Sequence, residues 1–167
     1  MPAAAPFRTL RWLPLVAGAL GLAACGGGHS SPTSPAATRF EMTSEQVVLD
    51  GQVLNEQTVP MYHGSGSTRF EARLALDGAP AAGGVVYCQY DRPGGMGMHG
   101  TGVFTMYDDG THGDRTAGDG LYCFEDDRDE YGCHGPGAGS GEYHYEFWGQ
   151  HPAWGTTEHH RVTVTVR

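Results

Sequence analysis

The stretch Gly141-Glu142-Tyr143-His144-Tyr145-Glu146-Phe147-Trp148-Gly149 decides the fold class of this chain. Its large apolar side chains recur at every second position, which is the period of a β-strand with one buried face. After a short loop, residues 159–167 repeat the pattern, with Val162, Val164 and Val166 on one face. Two alternating segments of this kind predict two strands of an all-β domain.

Outside these two segments, the chain shows almost no helical periodicity and many short alternating runs. Asp-Gly turn signals stand at residues 77–78, 109–110 and 119–120. The predicted strands are 46–54, 69–76, 84–91, 102–107, 120–125, 141–149 and 159–167. Seven short strands separated by turns predict a single antiparallel β-sandwich, with Phe70, Ala72, Leu74 and Leu76 on a core face.

The N-terminus carries a second kind of signal. Arg8 and Arg11 precede an apolar run over residues 12–22, and Leu22-Ala23-Ala24-Cys25 follows. This layout is typical of a secretory signal, and the run is too short to cross a bilayer of about 30 Å of hydrocarbon. The segment resembles the lipobox of bacterial lipoproteins. That resemblance implies removal of residues 1–24, acylation of Cys25 and a lipid anchor in a membrane of the cell envelope, periplasmic or surface-exposed. The alternative is an ordinary signal peptide cut nearby, with Cys25 unmodified.

Composition divides the remainder into two parts. Residues 25–39 are rich in Gly, Ser and Pro and predict a flexible linker, and residues 40–167 have the size of one domain. The net charge is −9, and loss of the predicted signal removes two arginines and no acid, which leaves −11. A chain of this charge with no basic patch is not expected to bind nucleic acid.

Three cysteines, Cys88, Cys123 and Cys133, remain beyond Cys25. An oxidising compartment favours pairing two of them. Cys123 and Cys133 bracket a short acidic segment whose closure is sterically easy if its ends lie side by side, so this pair is predicted first. Cys88 with Cys123 is the alternative, and Cys88 with Cys133, or no disulfide at all, is also open. The acids of residues 125–130 are expected to form a solvated face, and the alternative is that they add ligands to a metal site.

The order of the segments resembles bacterial immunoglobulin-like β-sandwich modules over residues 40–167. The resemblance lies in the Gly141-x-Tyr143-x-Tyr145-x-Phe147 strand followed by the Val162, Val164, Val166 strand, and in the strand-turn-strand over residues 74–86. The segment 107–122 also resembles a recurrent connection of secreted sandwich modules, including those of choice-of-anchor type. These resemblances imply a spacer, an adhesion unit or an appended ligand-binding domain.

The same connection carries four carboxylates, Asp108, Asp109, Asp114 and Asp119, on a glycine-rich loop. Calcium takes six to eight oxygen ligands in flexible geometry, so these residues are candidate calcium ligands. The spacing does not match an EF-hand, because Gly110 and His112 stand where acidic or amide ligands belong. The alternative is a loop held by the hydrogen bonds of its own Asp side chains, with no ion.

A second candidate metal site comprises Met96, Met98 and His99, whose thioether and imidazole groups suit cuprous copper.

No sequence motif of a hydrolase nucleophile, a phosphate-binding loop or a zinc protease is present. The sequence therefore predicts a non-catalytic structural or binding module, attached to the membrane through its lipid and open to a protein partner. The alternative function is a periplasmic copper-binding or metal-handling protein.

Overall fold

The computed structural model describes residues 37–61, 66–93, 100–128, 130–134 and 138–167. These residues form an all-β fold without helices, so none of them lies in a helix able to span a bilayer. The strands are β1 (Phe40–Leu49), β2 (Gln52–Val53), β3 (Thr58–Val59), β4 (Thr68–Leu76), β5 (Ala79–Pro80), β6 (Val85–Asp91), β7 (Thr101–Met106), β8 (Leu121–Asp126), β9 (Gly141–His151), β10 (Gly155–Thr156) and β11 (His160–Val166).

The strands form two sheets packed as a β-sandwich. In the first sheet, β4 lies between β1 on one edge and β8 and β5 on the other, and β2 extends β1. In the second sheet the order is β3-β11-β9-β6-β7, with β10 paired to the end of β9. All pairs are antiparallel except that of β3 with β11. The predicted fold class is therefore confirmed.

Side-chain alternation places one face of each sheet in a common core. From the first sheet Phe70, Ala72 and Leu74 are fully buried, as the alternation predicted. The second sheet contributes every second residue of its long strands, namely Val86, Cys88, Tyr143, Tyr145, Phe147, Val162, Val164 and Val166. The core cluster lies entirely within the compact unit Ala36–Arg167, so this segment can be studied as a domain by itself.

The first predicted strand, 46–54, is wrong at both ends. The strand begins at Phe40 and ends at Leu49, because the chain reverses at Asp50 and Gly51 with φ of 50° and 79°. Two consecutive residues with positive φ are the signature of a tight hairpin turn, and Asp-Gly is a preferred pair for it. Asp77 and Gly78 form the same kind of turn, with φ of 51° and 81°, where the sequence predicted one.

One lateral side of the sandwich is closed by the segment after β2. The Asn55 side-chain amide donates to the carbonyl of Glu45 at 2.8 Å and accepts from the amide of Val47 at 2.9 Å, as a neighbouring strand would. Glu56 exchanges bonds with Thr163 of β11, through its amide at 2.7 Å and its carboxylate at 2.8 Å. These contacts satisfy edge groups of both sheets.

Candidate functional site

The acidic loop predicted as a calcium site joins β7 to β8 and comprises residues 108–120. It begins where Tyr107 leaves β7 and exchanges two backbone hydrogen bonds with Cys123 of β8, each of 2.8 Å. The loop ends at Gly120, whose φ is +79°. A Cβ atom at Gly120 would lie 3.0 Å from the Ala81 amide nitrogen and 3.1 Å from the Leu74 carbonyl oxygen. Glycine is therefore required there by both conformation and space.

Asp108 holds the two ends of the loop together. Its carboxylate accepts hydrogen bonds from the amides of Gly118, Asp119 and Gly120 at 2.7, 3.1 and 3.2 Å. The acceptor and its donors are ten to twelve residues apart in the chain, so these bonds close the whole loop. This is the hydrogen-bonded arrangement that the sequence offered as the alternative to calcium.

Asp114 and Asp119 stabilise the inner turns. Asp114 is 6% exposed and accepts from the amides of Gly110 and Thr116 at 2.7 and 3.0 Å. Asp119 accepts from the amide of Leu121 at 2.9 Å. Each carboxylate thus satisfies backbone donors that the irregular chain leaves without a strand partner.

Three of the four predicted ligands come together. Asp108, Asp114 and Asp119 each place one carboxylate oxygen within 4.8 Å of the others. Asp109 is not part of this cluster, because its carboxylate turns back to accept from the amide of Thr111 at 2.9 Å and from its hydroxyl at 2.5 Å. The predicted set of four is corrected to three.

The clustered charges affect the ionisation of Asp108. Burial raises the pKa of its carboxyl above the ordinary value, the three amide hydrogen bonds oppose this, and the negative charge of Asp114 raises it further. The pKa of Asp109 is lowered, first by the hydrogen bond from the Thr111 hydroxyl. Negative charge is therefore disfavoured at Asp108 and favoured at its neighbour Asp109.

The spacing of the cluster is compatible with calcium. Calcium binds oxygens at 2.3–2.6 Å, so two ligands on opposite sides of the ion are at most about 5 Å apart. The 4.8 Å limit of the cluster lies within that distance. Asp108 Oδ1 already accepts two amides, but each of the other carboxylate oxygens of the cluster keeps a lone pair with which it can also contact a cation. The three residues would supply only part of a coordination shell, and backbone carbonyls and water would complete it.

The other predicted metal site and the lipidation site fall outside the described residues. Met96, Met98 and His99 lie in the segment 94–99, and Cys25 precedes residue 37. Among the described residues, the Asp108, Asp114 and Asp119 group is the one cluster of three or more potential metal ligands.

Neither predicted disulfide is present: no disulfide joins Cys88, Cys123 or Cys133, and all three side chains are buried. Cys88 and Cys133 belong to the core, whereas Cys123 lies on the opposite face of β8 beneath the Asp loop, in a cavity of about 200 Å³. Alternating side chains of a strand point to opposite faces, so Cys123 is directed away from both possible partners. Burial, and next the charge of Glu71, raises the pKa of Cys123 to about 12.

Sequence reasoning missed a buried carboxylate. Asp126 was expected on a solvated acidic face, but it is 3% exposed and accepts from the amides of Glu130, Tyr131 and Gly132 at 2.9, 2.7 and 2.9 Å. The signal was available: Asp126 is two residues beyond Phe124 and four beyond Tyr122, on the same face of β8.

Sequence reasoning also missed a buried imidazole. His134 is 1% exposed, with Nε2 at 2.8 Å from the carbonyl oxygen of Gly66 and Nδ1 at 2.8 Å from the hydroxyl of Thr68. A carbonyl only accepts, so Nε2 carries the proton, and in the neutral ring Nδ1 accepts from Thr68. No pattern in the sequence distinguishes this histidine from the exposed ones.

Comparison with known proteins adds no assignment to this geometry. No protein-family model matches the chain, and no curated protein matches it significantly.

Proposed function

We propose that this chain is a lipid-anchored module of the cell envelope, with a non-catalytic β-sandwich whose Asp loop is stabilised by calcium. The observation that carries the proposal is the Asp108, Asp114 and Asp119 cluster, with ligand oxygens within 4.8 Å of one another. The lipobox around Cys25 supports the anchor, and the Gly/Ser/Pro-rich linker supports a tethered domain. The resemblance to immunoglobulin-like modules supports a spacer or binding role.

Three buried or half-buried titratable groups support a non-catalytic role, because their polar atoms are engaged in holding the backbone. Asp108 and Asp126 each accept three amides, and both ring nitrogens of His134 have partners. A general acid or base needs an atom that can reach a substrate. These groups serve the fold instead.

Calcium would relieve the repulsion within the cluster. Burial and the charge of Asp114 act against ionised Asp108. A divalent cation among the three carboxylates reverses the sign of the local field and favours their ionised forms. Binding to the folded loop alone then stabilises the fold by mass action.

The test is a thermal melt of residues 36–167 under reducing conditions, first in chelator and then in calcium. Calcium at about 100 times its dissociation constant adds about 2.7 kcal/mol. For a domain of this size the midpoint should rise by about 10 °C. Magnesium at the same concentration should give a much smaller rise, because it demands a tighter octahedral shell.

Two variants make the test specific. Asp114→Asn removes a charge from the cluster but keeps an acceptor oxygen, and it should abolish most of the calcium-induced rise. Asp109→Asn changes an acid of the same loop outside the cluster and should leave the rise intact. Equal midpoints in chelator and calcium for the wild-type domain would refute the calcium part of the proposal.

The anchor needs a separate experiment on the full chain. Expressed in a bacterial host and labelled with a palmitate analogue, the wild-type protein should incorporate label and fractionate with membranes. Cys25→Ala should lose both properties, whereas Cys88→Ala tests whether another cysteine carries the label and should retain them. Unlabelled protein in the soluble envelope fraction would indicate an ordinary signal peptide.

A further inference from the structure

Strand β7 is an open edge of the second sheet. Thr101–Met106 pairs with β6 on one side, and among the described residues its backbone has no hydrogen bond on the other. Tyr107, the next residue, bonds to Cys123 on that other side. Backbone groups alternate in direction along a strand, so Thr105, Val103 and Thr101 also direct their N–H and C=O groups outward. Within the described part of the chain, three residues in a row thus present donors and acceptors that no other strand pairs with.

This edge lacks the features that prevent another strand from pairing with a sheet edge. The segment Thr101-Gly102-Val103-Phe104-Thr105-Met106 contains no charge and no proline, and its pairing with β6 has no bulge. Val103 is 55% exposed, more than any other large apolar side chain of the described residues. The opposite side of the sandwich is closed by Asn55 and Glu56. An uncharged edge strand with exposed donors and acceptors is a template for an added strand.

We propose that β7 pairs with β7 of a second copy of this chain in an antiparallel, two-fold symmetric dimer. With the axis at Val103, this residue faces Val103 of the partner subunit, and Thr101 faces Thr105 of the partner subunit. Each facing pair exchanges two hydrogen bonds, which gives about six across the interface. The two Val103 side chains then lie side by side on the outer face of a continuous sheet and cover each other.

Charge favours a second copy at this edge over the others. Each predicted mature chain carries a net −11, so most approaches place carboxylates opposite carboxylates. Of the longer edge strands, β1 and β8 carry acids, including Glu41, Glu45 and Glu125, whereas β2, β3, β5 and β10 are only two residues long. Like charges directly opposite in a sheet destabilise pairing. In a two-fold pairing of β7 the facing residues are all uncharged.

The experiment is sedimentation velocity of residues 36–167 under reducing conditions. Protein concentrations from about 5 to 500 µM cover the range over which a weak dimer forms and dissociates. The wild-type domain should show reversible monomer–dimer exchange. Val103→Pro removes one outward N–H, and no bond to β6, because proline is tolerated where an edge N–H faces solvent. It should weaken dimerisation by at least tenfold, whereas Val103→Thr, which keeps the N–H and the β-branch, should change it by less than threefold.

A second pair of variants keeps the test decisive if the proline variant does not fold. Val103→Lys places two like charges at the two-fold axis and should also weaken the dimer at least tenfold. Val53→Lys makes the same change at another exposed valine, on β2, and should leave the dimer intact. A wild-type domain that remains monomeric at all concentrations, or a dimer unchanged by both Val103→Pro and Val103→Lys, would overturn the proposal. The readout does not involve calcium or lipid, so it stands or falls independently of the proposed function.

Discussion

His134 shows how much a single buried polar side chain contributes to this fold. Its imidazole joins Gly66, ahead of β4, to the buried hydroxyl of Thr68, which begins that strand. Thr68 has no exposed surface. Removal of the ring leaves a carbonyl oxygen and a hydroxyl without their partner, and each buried polar group left in this way costs about 1–3 kcal/mol.

His134→Leu should therefore lower the free energy of unfolding by about 2–5 kcal/mol, measured by urea denaturation at pH 7. His159→Ala is the matched control, because His159 is 49% exposed and pairs with Glu146 at the surface. The exposed pair contributes about 0–1 kcal/mol, and the stacking of the His159 ring on Trp148 at 4.8 Å adds about 0.5–1.5 kcal/mol, so His159→Ala should lose less than His134→Leu. A loss below 1 kcal/mol for His134→Leu would show that water replaces the imidazole.

Asp108 and Asp109 are neighbours that should respond to pH with opposite signs. The folded pKa of Asp108 is raised, so the stability it contributes is present below the unfolded pKa and is lost as pH rises through the folded one. The folded pKa of Asp109 is lowered, so its contribution is present above the unfolded pKa and is lost as pH falls.

In chelator, from about pH 3 to pH 7, Asp108→Asn should gain stability relative to the wild type as pH rises, because the variant carries no charge at that position. Asp109→Asn should lose stability relative to the wild type over the same range. Urea midpoints of the three proteins at several pH values give the two slopes. Slopes of the same sign would show that the opposite pKa shifts of Asp108 and Asp109 are wrong.

At the scale of elements, the Asp loop depends on one glycine more than on the others. Gly120 and Gly78 both have φ near +80°, but only Gly120 has backbone atoms within 3.1 Å of the position a Cβ would take. Gly120→Ala should cost about 1–2 kcal/mol for the left-handed conformation and about 1–3 kcal/mol more for the overlap with Ala81 and Leu74. Gly78→Ala should show only the cost of the left-handed conformation. The difference in unfolding free energy between the two variants then measures the cost of the overlap with Ala81 and Leu74.

The elements also show where sequence reasoning succeeds. The period of two placed Tyr143, Tyr145 and Phe147 on a buried face, and all three have no exposed surface. The Asp77-Gly78 pair was predicted to form a turn, and it does. The same pair at Asp50-Gly51 ends β1, although the predicted strand 46–54 ran through it. Residues 40–45 were missed because Thr43 and Ser44 interrupt the alternation at a register shift in the pairing with β4.

The Asp loop was predictable in part. The sequence identified its carboxylates, but not that Asp109 turns back to Thr111 while Asp108 closes the loop on Gly118–Gly120. Such choices depend on contacts across the loop and have no periodic signature. The cysteines illustrate the same limit: chain separation suggested Cys123 with Cys133, whereas the two faces of β8 separate them.

At the scale of the whole molecule, the proposed anchor and the proposed dimer reinforce each other. Two copies tethered to one membrane by a short flexible linker meet at an effective concentration of about millimolar. An interface of about six backbone bonds, too weak to persist in dilute solution, would be populated under those conditions. The open edge of β7 is therefore consistent with a protein that works at a surface.

Net charge opposes this association, and that opposition is measurable. Two copies at −11 repel each other, and at 0.05 M salt the screening length is about 14 Å, against about 4 Å at 0.5 M. The β7 contact itself contains no ion pair for salt to weaken. Raising NaCl from about 0.05 to about 0.5 M should therefore tighten the dimer severalfold in sedimentation, with Val103→Thr behaving in the same way. Association that weakens with salt would mean that ion pairs between other surfaces hold the copies together, and β7 would not be the contact.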